Sequence, residues 1–115
     1  MTTLSRGSVI LVPFPFTDLS AVKRRPALVM SSDEYNRATG DVIIAQISSK
    51  IRSRHRPGDH LVGDWKAAGL LLPSLVRARL TTLHSSIVIK VLGTMPDGEM
   101  AGAERGIRLA LDLPS

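Results

Sequence analysis

Two clusters of cationic side chains are the strongest candidates for a functional site in this sequence. The first is Lys23, Arg24 and Arg25, and the second runs through residues 50–56. The cations of the second cluster are Lys50, Arg52, Arg54 and Arg56, with His55 among them. A guanidinium fork matches phosphate oxygens with two parallel hydrogen bonds. The whole chain has a formal charge of +5 and a sequence pI near 10.5, which favours a polyanionic partner.

The amino-acid composition excludes some kinds of site and some ways of binding such a partner. There is no cysteine, so disulfides, thiolate metal sites and cysteine nucleophiles are excluded. The four aromatic residues are Phe14, Phe16, Tyr35 and Trp65. A protein that gripped single strands by base stacking alone would carry more of them. We therefore expect phosphate contacts and polar groups to dominate binding, with Trp65 either stacking on a base or completing the core.

The three histidines, His55, His60 and His84, are the usual acid–base side chains at neutral pH. His55 and His60 lie five apart in a basic loop without a third ligand nearby, so no metal site is predicted. His60 is a candidate base if that loop folds over the site. His84 is interpreted as a turn residue.

Short apolar segments must position these groups. Strands are predicted at Val9–Val12, stopped by the prolines of residues 13–16, and at Ala27–Met30, after a polar loop that ends at Arg25. Residues 33–40 have room for one helical turn. Further strands are predicted at 41–47, 60–62, 74–83 and 87–92.

The last segment changes to helical spacing. Met100, Ala103, Ile107, Ala110 and Leu111 predict an amphipathic helix, with Pro96 in its first turn. Three glycines, at 98, 102 and 106, fall on one face of that helix. This row is compatible either with close packing against the sheet or with a tolerant surface.

The chain is predicted to be one domain over residues 1–115, since two cores would each be too small. Short strands followed by one helix predict a mainly β (α+β) fold, a small, partly open antiparallel barrel with a C-terminal helix. No leader-like apolar region and no membrane-length apolar run is present, so a cytoplasmic protein without membrane contact is expected.

Four sequence blocks resemble toxins of the MazF/PemK family. They are Arg6-Gly7 with Pro13–Asp18, then Lys23–Val29, then Val42–Ser49, and finally Ala68–Arg77 with Leu80–Leu83. Their order, over most of residues 6–93, makes a chance match improbable.

The resemblance implies an SH3-like barrel that dimerises and cuts single-stranded RNA without a metal or other cofactor. The implied products carry a 2′,3′-cyclic phosphate and a 5′-hydroxyl. The family's active arginine precedes the proline and falls on Arg25, and its hydroxyl partner falls on Ser48. Some members have an acidic residue where this chain has Arg79, and some use a first-loop histidine that this chain lacks. No histidine here occupies a family catalytic position.

RNA-phosphate contacts are predicted for the cations around these two residues. They are Lys23, Arg24, Lys50, Arg52, Arg54, Arg77 and Arg79, with Ser49 as a polar neighbour. The predicted protein partners are a small acidic antitoxin that covers Arg25 and the 50–56 loop, and a second copy of the chain. The apolar run Leu70–Leu72 is a candidate partner-facing surface.

Two alternatives remain open at the level of sequence. One is a non-enzymatic toxin with the same barrel, like the CcdB proteins that act on gyrase, although residues 109–115 contain no tryptophan anchor. The other is a family member that binds RNA or antitoxin without cutting, since Arg79 replaces an acidic residue.

Overall fold

The computed structural model describes residues 4–14, 23–52 and 55–114. It contains six strands, β1 to β6, two α-helices, α1 and α2, and one 3₁₀ turn. In chain order these are β1 Ser8–Phe14, β2 Lys23–Val29, α1 Asp33–Thr39, β3 Asp41–Ser48, β4 His60–Leu61, β5 Leu75–His84, the 3₁₀ turn Ser85–Ile87, β6 Lys90–Thr94 and α2 Asp97–Leu111.

All six strands form one antiparallel sheet in the order β4-β5-β3-β2-β1-β6. Strands β4 and β6 are its two edges, so the curled sheet remains a partly open barrel. Helix α2 packs against β5 and β4 at one side. The predicted fold, a partly open antiparallel barrel with a C-terminal helix, is confirmed.

The first two strands are longer than predicted, because both continue through a proline. Pro13 lies within β1 opposite Arg24, and Pro26 lies within β2 opposite Leu11. The Leu11 carbonyl accepts a hydrogen bond from the Ile89 N–H, so the backbone N–H and C=O of Leu11 point toward the β6 side. Pro13 lies two residues later, so its backbone points to the same side. The β6 ladder ends at Leu11, so no partner needs the missing proline N–H. Pro26 similarly precedes Ala27, where the β3 ladder begins.

Three other boundaries differ from expectation. Helix α1 has seven residues rather than one turn, and the Ser32 side chain caps it by accepting from the Tyr35 N–H. The 3₁₀ turn delays β6 until Lys90, so the prediction of a strand from residue 87 was wrong. Pro96 is the N-cap of α2, one position before its first turn.

The sheet buries residues on both faces, as the two-residue period of a strand requires. Neighbours in sequence therefore enter different cores, as Val9 and Ile10 do. The first core includes Leu28, Ile47 and Met100 of α2. Trp65 is partly buried against this core, so it is a core residue in this structure.

Helix α2 packs closely against β4 and the preceding loop at two of the three glycines in its glycine row. A Cβ on Gly102 would collide with the His60 ring, and a Cβ on Gly106 would collide with the Gly58 carbonyl oxygen. No atom lies within 4 Å of a Cβ built on Gly98. Two members of the glycine row thus permit close packing, while the third faces open space.

No helix in the described part of the chain is long and apolar enough to cross a membrane.

Candidate active site

A cavity of about 620 Å³ lies where the ends of β1, β2 and β3 meet β5 and the basic loop. Five of its ten lining residues are lysine or arginine, and none of the ten is a carboxylate. The lining residues are Phe14, Arg25, Gln46, Ser48, Lys50, His55, Arg56, Pro57, Arg77 and Arg79. Such a wall is suited to a phosphate-bearing ligand.

Arg25 lies near the start of β2, opposite Val12 of β1. Its guanidinium carbon lies 4.9 Å from the centroid of the Phe14 ring, within the range of a cation–π contact. Its Nε is buried and has no hydrogen-bond partner among the described residues. Buried donors are normally satisfied, so this N–H is available to a bound acceptor.

Ser48 ends β3 and lines the same cavity as Arg25. The β2–β3 ladder ends at the pair of Ala27 with Gln46, two residues away from each of them. The Ser48 hydroxyl oxygen accepts a hydrogen bond from the Lys50 N–H at 3.1 Å. The hydroxyl proton therefore remains available for donation to a ligand.

An irregularity in β5 brings two more cations to the cavity. Between the pairs Ile47–Val76 and Ala45–Leu80, β3 contributes only Gln46 while β5 contributes the three residues 77–79. Such bulges bend a strand and redirect its side chains. Arg77 and Arg79 both line the cavity as a result.

Arg77 forms a buried ion pair with Asp59. Its Nη1 donates to Asp59 Oδ2 at 3.1 Å, and the two side chains are only 10% and 5% exposed. The same carboxylate oxygen accepts from the Arg56 N–H at 2.8 Å. Asp59 therefore joins β5 to the turn of residues 56–59, and part of the Arg77 charge is already compensated.

The basic loop reaches the cavity through its two ends. Lys50 leaves β3, and His55 to Pro57 return toward β4. The His55 Nε2 lies 2.8 Å from the Ile51 carbonyl oxygen, which joins the two arms of the loop. Gly58, with φ of +98°, lets the turn pass close to α2 at Gly106.

The remaining predicted RNA contacts lie away from this cavity. Arg24 and Ser49 line a second cavity of about 470 Å³ together with the run Leu70–Leu72. Arg52 lines a shallow depression on the loop, and Lys23 is exposed at the start of β2. Arg54 lies outside the described residues, as do the family-like residues 15–18.

His60 is absent from the cavity, and the structure gives it a different role. Its Nε2 lies 2.9 Å from Glu99 Oε1 of α2. The hydrogen bond from the Gly63 N–H lowers the pKa of Glu99, burial opposes this, and the Asp64 N–H and His60 add to the lowering. His60 therefore fastens α2 to β4, and the hypothesis that it is a base at the RNA site was wrong. His84 was predicted as a turn residue, but it is the last residue of β5, where its side chain accepts from the Ser86 N–H and caps the following 3₁₀ turn.

Sequence reasoning missed four lining residues: Phe14, Gln46, Arg56 and Pro57. It also assigned no site role to His55. The two-residue strand period signals Gln46, because it lies two positions before Ser48 on the same face of β3. No local pattern signals the return of the loop to the cavity. No group of three or more potential metal ligands occurs among the described residues.

The whole length of the described fold matches one known family. A sequence model described as "PemK-like, MazF-like toxin of type II toxin-antitoxin system" matches residues 5–111. The chain belongs to this toxin family. No curated protein matches the sequence significantly.

Solved structures with the MazF/PemK fold agree in overall shape. An endoribonuclease from a mycobacterial species is 25% identical, with a TM-score of 0.78 over 100% of this chain and 97% of that chain. A mycobacterial endoribonuclease in complex with its cognate antitoxin is 24% identical, with a TM-score of 0.77 over 100% and 99% of the two chains. A MazE–MazF structure from Deinococcus radiodurans is 20% identical, with a TM-score of 0.76 over 99% and 100%.

Proposed function

We propose that this MazF/PemK-family toxin is a metal-independent endoribonuclease that cuts single-stranded RNA at specific sequences. The observation that carries the proposal is the cavity, which both Arg25 and Ser48 line together with other cations. The family resemblance implied these two residues as the active pair. Two structurally similar mycobacterial proteins are endoribonucleases, which supports the same class of activity.

The proposed reaction uses the RNA's own 2′-hydroxyl as the nucleophile. It needs a proton acceptor, stabilisation of the added negative charge on phosphorus, and a proton for the leaving 5′-oxygen. Arg25 supplies the second of these, because its buried Nε–H has no partner among the described residues and its fork matches two phosphate oxygens. An arginine stays protonated in proteins, so it is a poor base.

Ser48 holds the phosphate in place. The Lys50 N–H occupies one lone pair of its hydroxyl oxygen, which directs the hydroxyl proton toward an external acceptor. Arg79 and the free nitrogens of Arg77 add phosphate contacts at the bulge of β5. Lys23, Arg24, Ser49, Arg52 and Arg54 remain predicted contacts for the flanking RNA.

The proposed partners follow from the same surface. A small acidic antitoxin covers Arg25 and the loop, and two structurally similar proteins are toxins crystallised with MazE or with a cognate antitoxin. We also propose a symmetric homodimer. Leu71 is 91% exposed beside the second cavity and offers apolar surface for a partner.

A cleavage assay on a heterogeneous single-stranded RNA tests the activity. Fragments are expected to carry 5′-hydroxyl ends that a kinase labels without prior phosphatase treatment, and cleavage should persist in EDTA. Arg25→Ala should lower the cleavage rate by roughly 10²-fold or more, the usual cost of removing one transition-state donor, with a modest loss of RNA binding. Arg25→Lys should restore little, because an ammonium lacks the fork.

Three results would contradict the proposal: an inactive wild-type protein, activity abolished by EDTA, or full activity in Arg25→Ala. A gyrase supercoiling assay with the same preparation tests the CcdB-like alternative directly.

A further inference from the structure

Among the described residues that line the cavity, His55 is the one side chain suited to proton transfer near neutral pH. The other charged groups that line it are Arg25, Lys50, Arg56, Arg77 and Arg79, all of which are permanent cations at that pH. No carboxylate is among the described lining residues. An imidazole changes its protonation between about pH 5 and 8.

The loop geometry selects one tautomer of this imidazole. A carbonyl oxygen can only accept a hydrogen bond, so the contact between Nε2 and the Ile51 carbonyl requires a proton on Nε2. The neutral ring then carries its lone pair on Nδ1. The same contact holds the ring between the two arms of the loop.

The two other histidines are committed elsewhere. His60 is paired with Glu99 against α2, and His84 hydrogen-bonds with Ser86 at the end of β5 remote from Ser48. The nearest carboxylate to the loop is Asp59, which is buried against Arg77. His60, His84 and Asp59 are therefore each held by another partner, so none of them is a good alternative proton acceptor at the cavity.

We infer that His55 is the catalytic residue that takes the proton from the attacking 2′-hydroxyl. This inference rests on the proposed ribonuclease function. Nδ1 accepts the proton, the 2′-oxygen forms its bond to phosphorus, and the bond between phosphorus and the 5′-oxygen breaks. The 5′-oxygen leaves with that electron pair and takes a proton from water, and the imidazolium returns its proton to the resulting hydroxide.

The other charged groups that line the cavity around His55 are all cations, and they come from its own loop and from two strands. Lys50 and Arg56 belong to its own loop, Arg25 comes from β2, and Arg77 and Arg79 come from β5. The negative charge that develops on the reacting phosphate attracts the imidazolium as it forms.

His55→Gln separates a base from a loop-positioning residue. The glutamine amide can keep an N–H toward the Ile51 carbonyl, but it cannot accept the proton. Cleavage is measured in single turnover on the RNA described above, from pH 5 to 9, with His84→Gln as the matched control. His55→Gln should lose about 10²-fold or more in rate, with little change in RNA affinity. His84→Gln should match the wild type.

The pH profile provides a second readout. The wild-type rate should rise about tenfold per pH unit up to the range where an imidazole becomes neutral, and this rise should vanish in His55→Gln. Added imidazole should partly restore His55→Ala. Once the cut site is mapped, an RNA with sulfur in place of the leaving 5′-oxygen should leave the defect in place, because that leaving group needs no acid.

Wild-type rates in His55→Gln, alongside an inactive Arg25→Ala, would overturn the inference and leave the proposed function standing. Recovery of His55→Gln on the sulfur substrate would also overturn it, by making His55 the acid. A wild-type protein that cuts no RNA would remove the proposed function, and the inference with it.

Discussion

The environment of Ser48 decides which of its hydrogen-bonding capacities is available. Its oxygen already accepts from the Lys50 N–H, and it lines the same cavity as Arg25. A hydroxyl with an occupied acceptor site is best used as a donor to a phosphate oxygen. This arrangement depends on the hydroxyl group and hardly at all on the rest of the side chain.

Ser48→Ala should therefore lower the cleavage rate less than Arg25→Ala does, since it removes a neutral hydrogen bond rather than a charged fork. Ser48→Thr should be almost silent, because it keeps the hydroxyl. Ser86→Ala is the matched control, because Ser86 lies in the 3₁₀ turn that follows β5, at the end of the sheet remote from Ser48. Equal losses in Ser48→Ala and Ser48→Thr, measured as kcat and KM, would show that packing rather than hydrogen bonding matters there.

At the scale of elements, α2 acts as the support for the basic loop. Gly106 lets the Gly58 backbone pack directly on the helix. Asp59, the next residue in the loop, forms an ion pair with Arg77 of β5. The loop that carries His55 to Pro57 is thereby held from two elements. Its position depends on a helix that contributes no side chain to the main cavity.

Gly106→Ala should destabilise the protein although alanine is the better helix former. Its methyl group meets the Gly58 carbonyl, and such overpacking costs about 1–3 kcal/mol. Gly98→Ala adds the same methyl group to the same helix in open space, so it should be neutral or stabilising by up to about 1 kcal/mol. Thermal unfolding followed by circular dichroism compares the two. Equal midpoints in both variants would argue against close packing at Gly106.

At the scale of the whole molecule, charge governs the encounter with an acidic antitoxin. The chain has a formal charge of +5, and the cavity concentrates cations at one site. Exposed charges are screened within about 10 Å at 0.1 M ionic strength. Binding of an acidic partner at this site should therefore weaken as salt is added.

Two charge reversals test where the antitoxin binds. Arg56→Glu and Arg37→Glu change the net charge equally, but only Arg56 lies at the cavity, while Arg37 is exposed on α1. Arg56→Glu should weaken binding of the small acidic protein encoded beside this gene and flatten its salt dependence, as measured by calorimetry. Arg37→Glu should bind almost as the wild type does. Equal losses in both variants would contradict binding at the cavity.

The sequence by itself determined the fold class, and its resemblance to the family supplied Arg25 and Ser48 as the predicted active pair. Strand segments of alternating burial and a C-terminal helical period are local signals, and local signals are readable along a chain. Arg25 and Ser48 were identified through the family blocks that contain them. Strand ends were less predictable, because Pro13 and Pro26 are tolerated only where the neighbouring ladder is absent.

Only the tertiary structure decided which histidine meets the cavity. His55 and His60 are five residues apart in one basic segment, and the sequence offered His60 as a candidate base only if the loop folded over the site. The fold separates them, because Glu99 of α2 pairs with His60 while the turn at Gly58 sends His55 back toward β3. Both outcomes depend on contacts between residues far apart in the chain. Such contacts form when the helix packs on the sheet, so no local pattern records them.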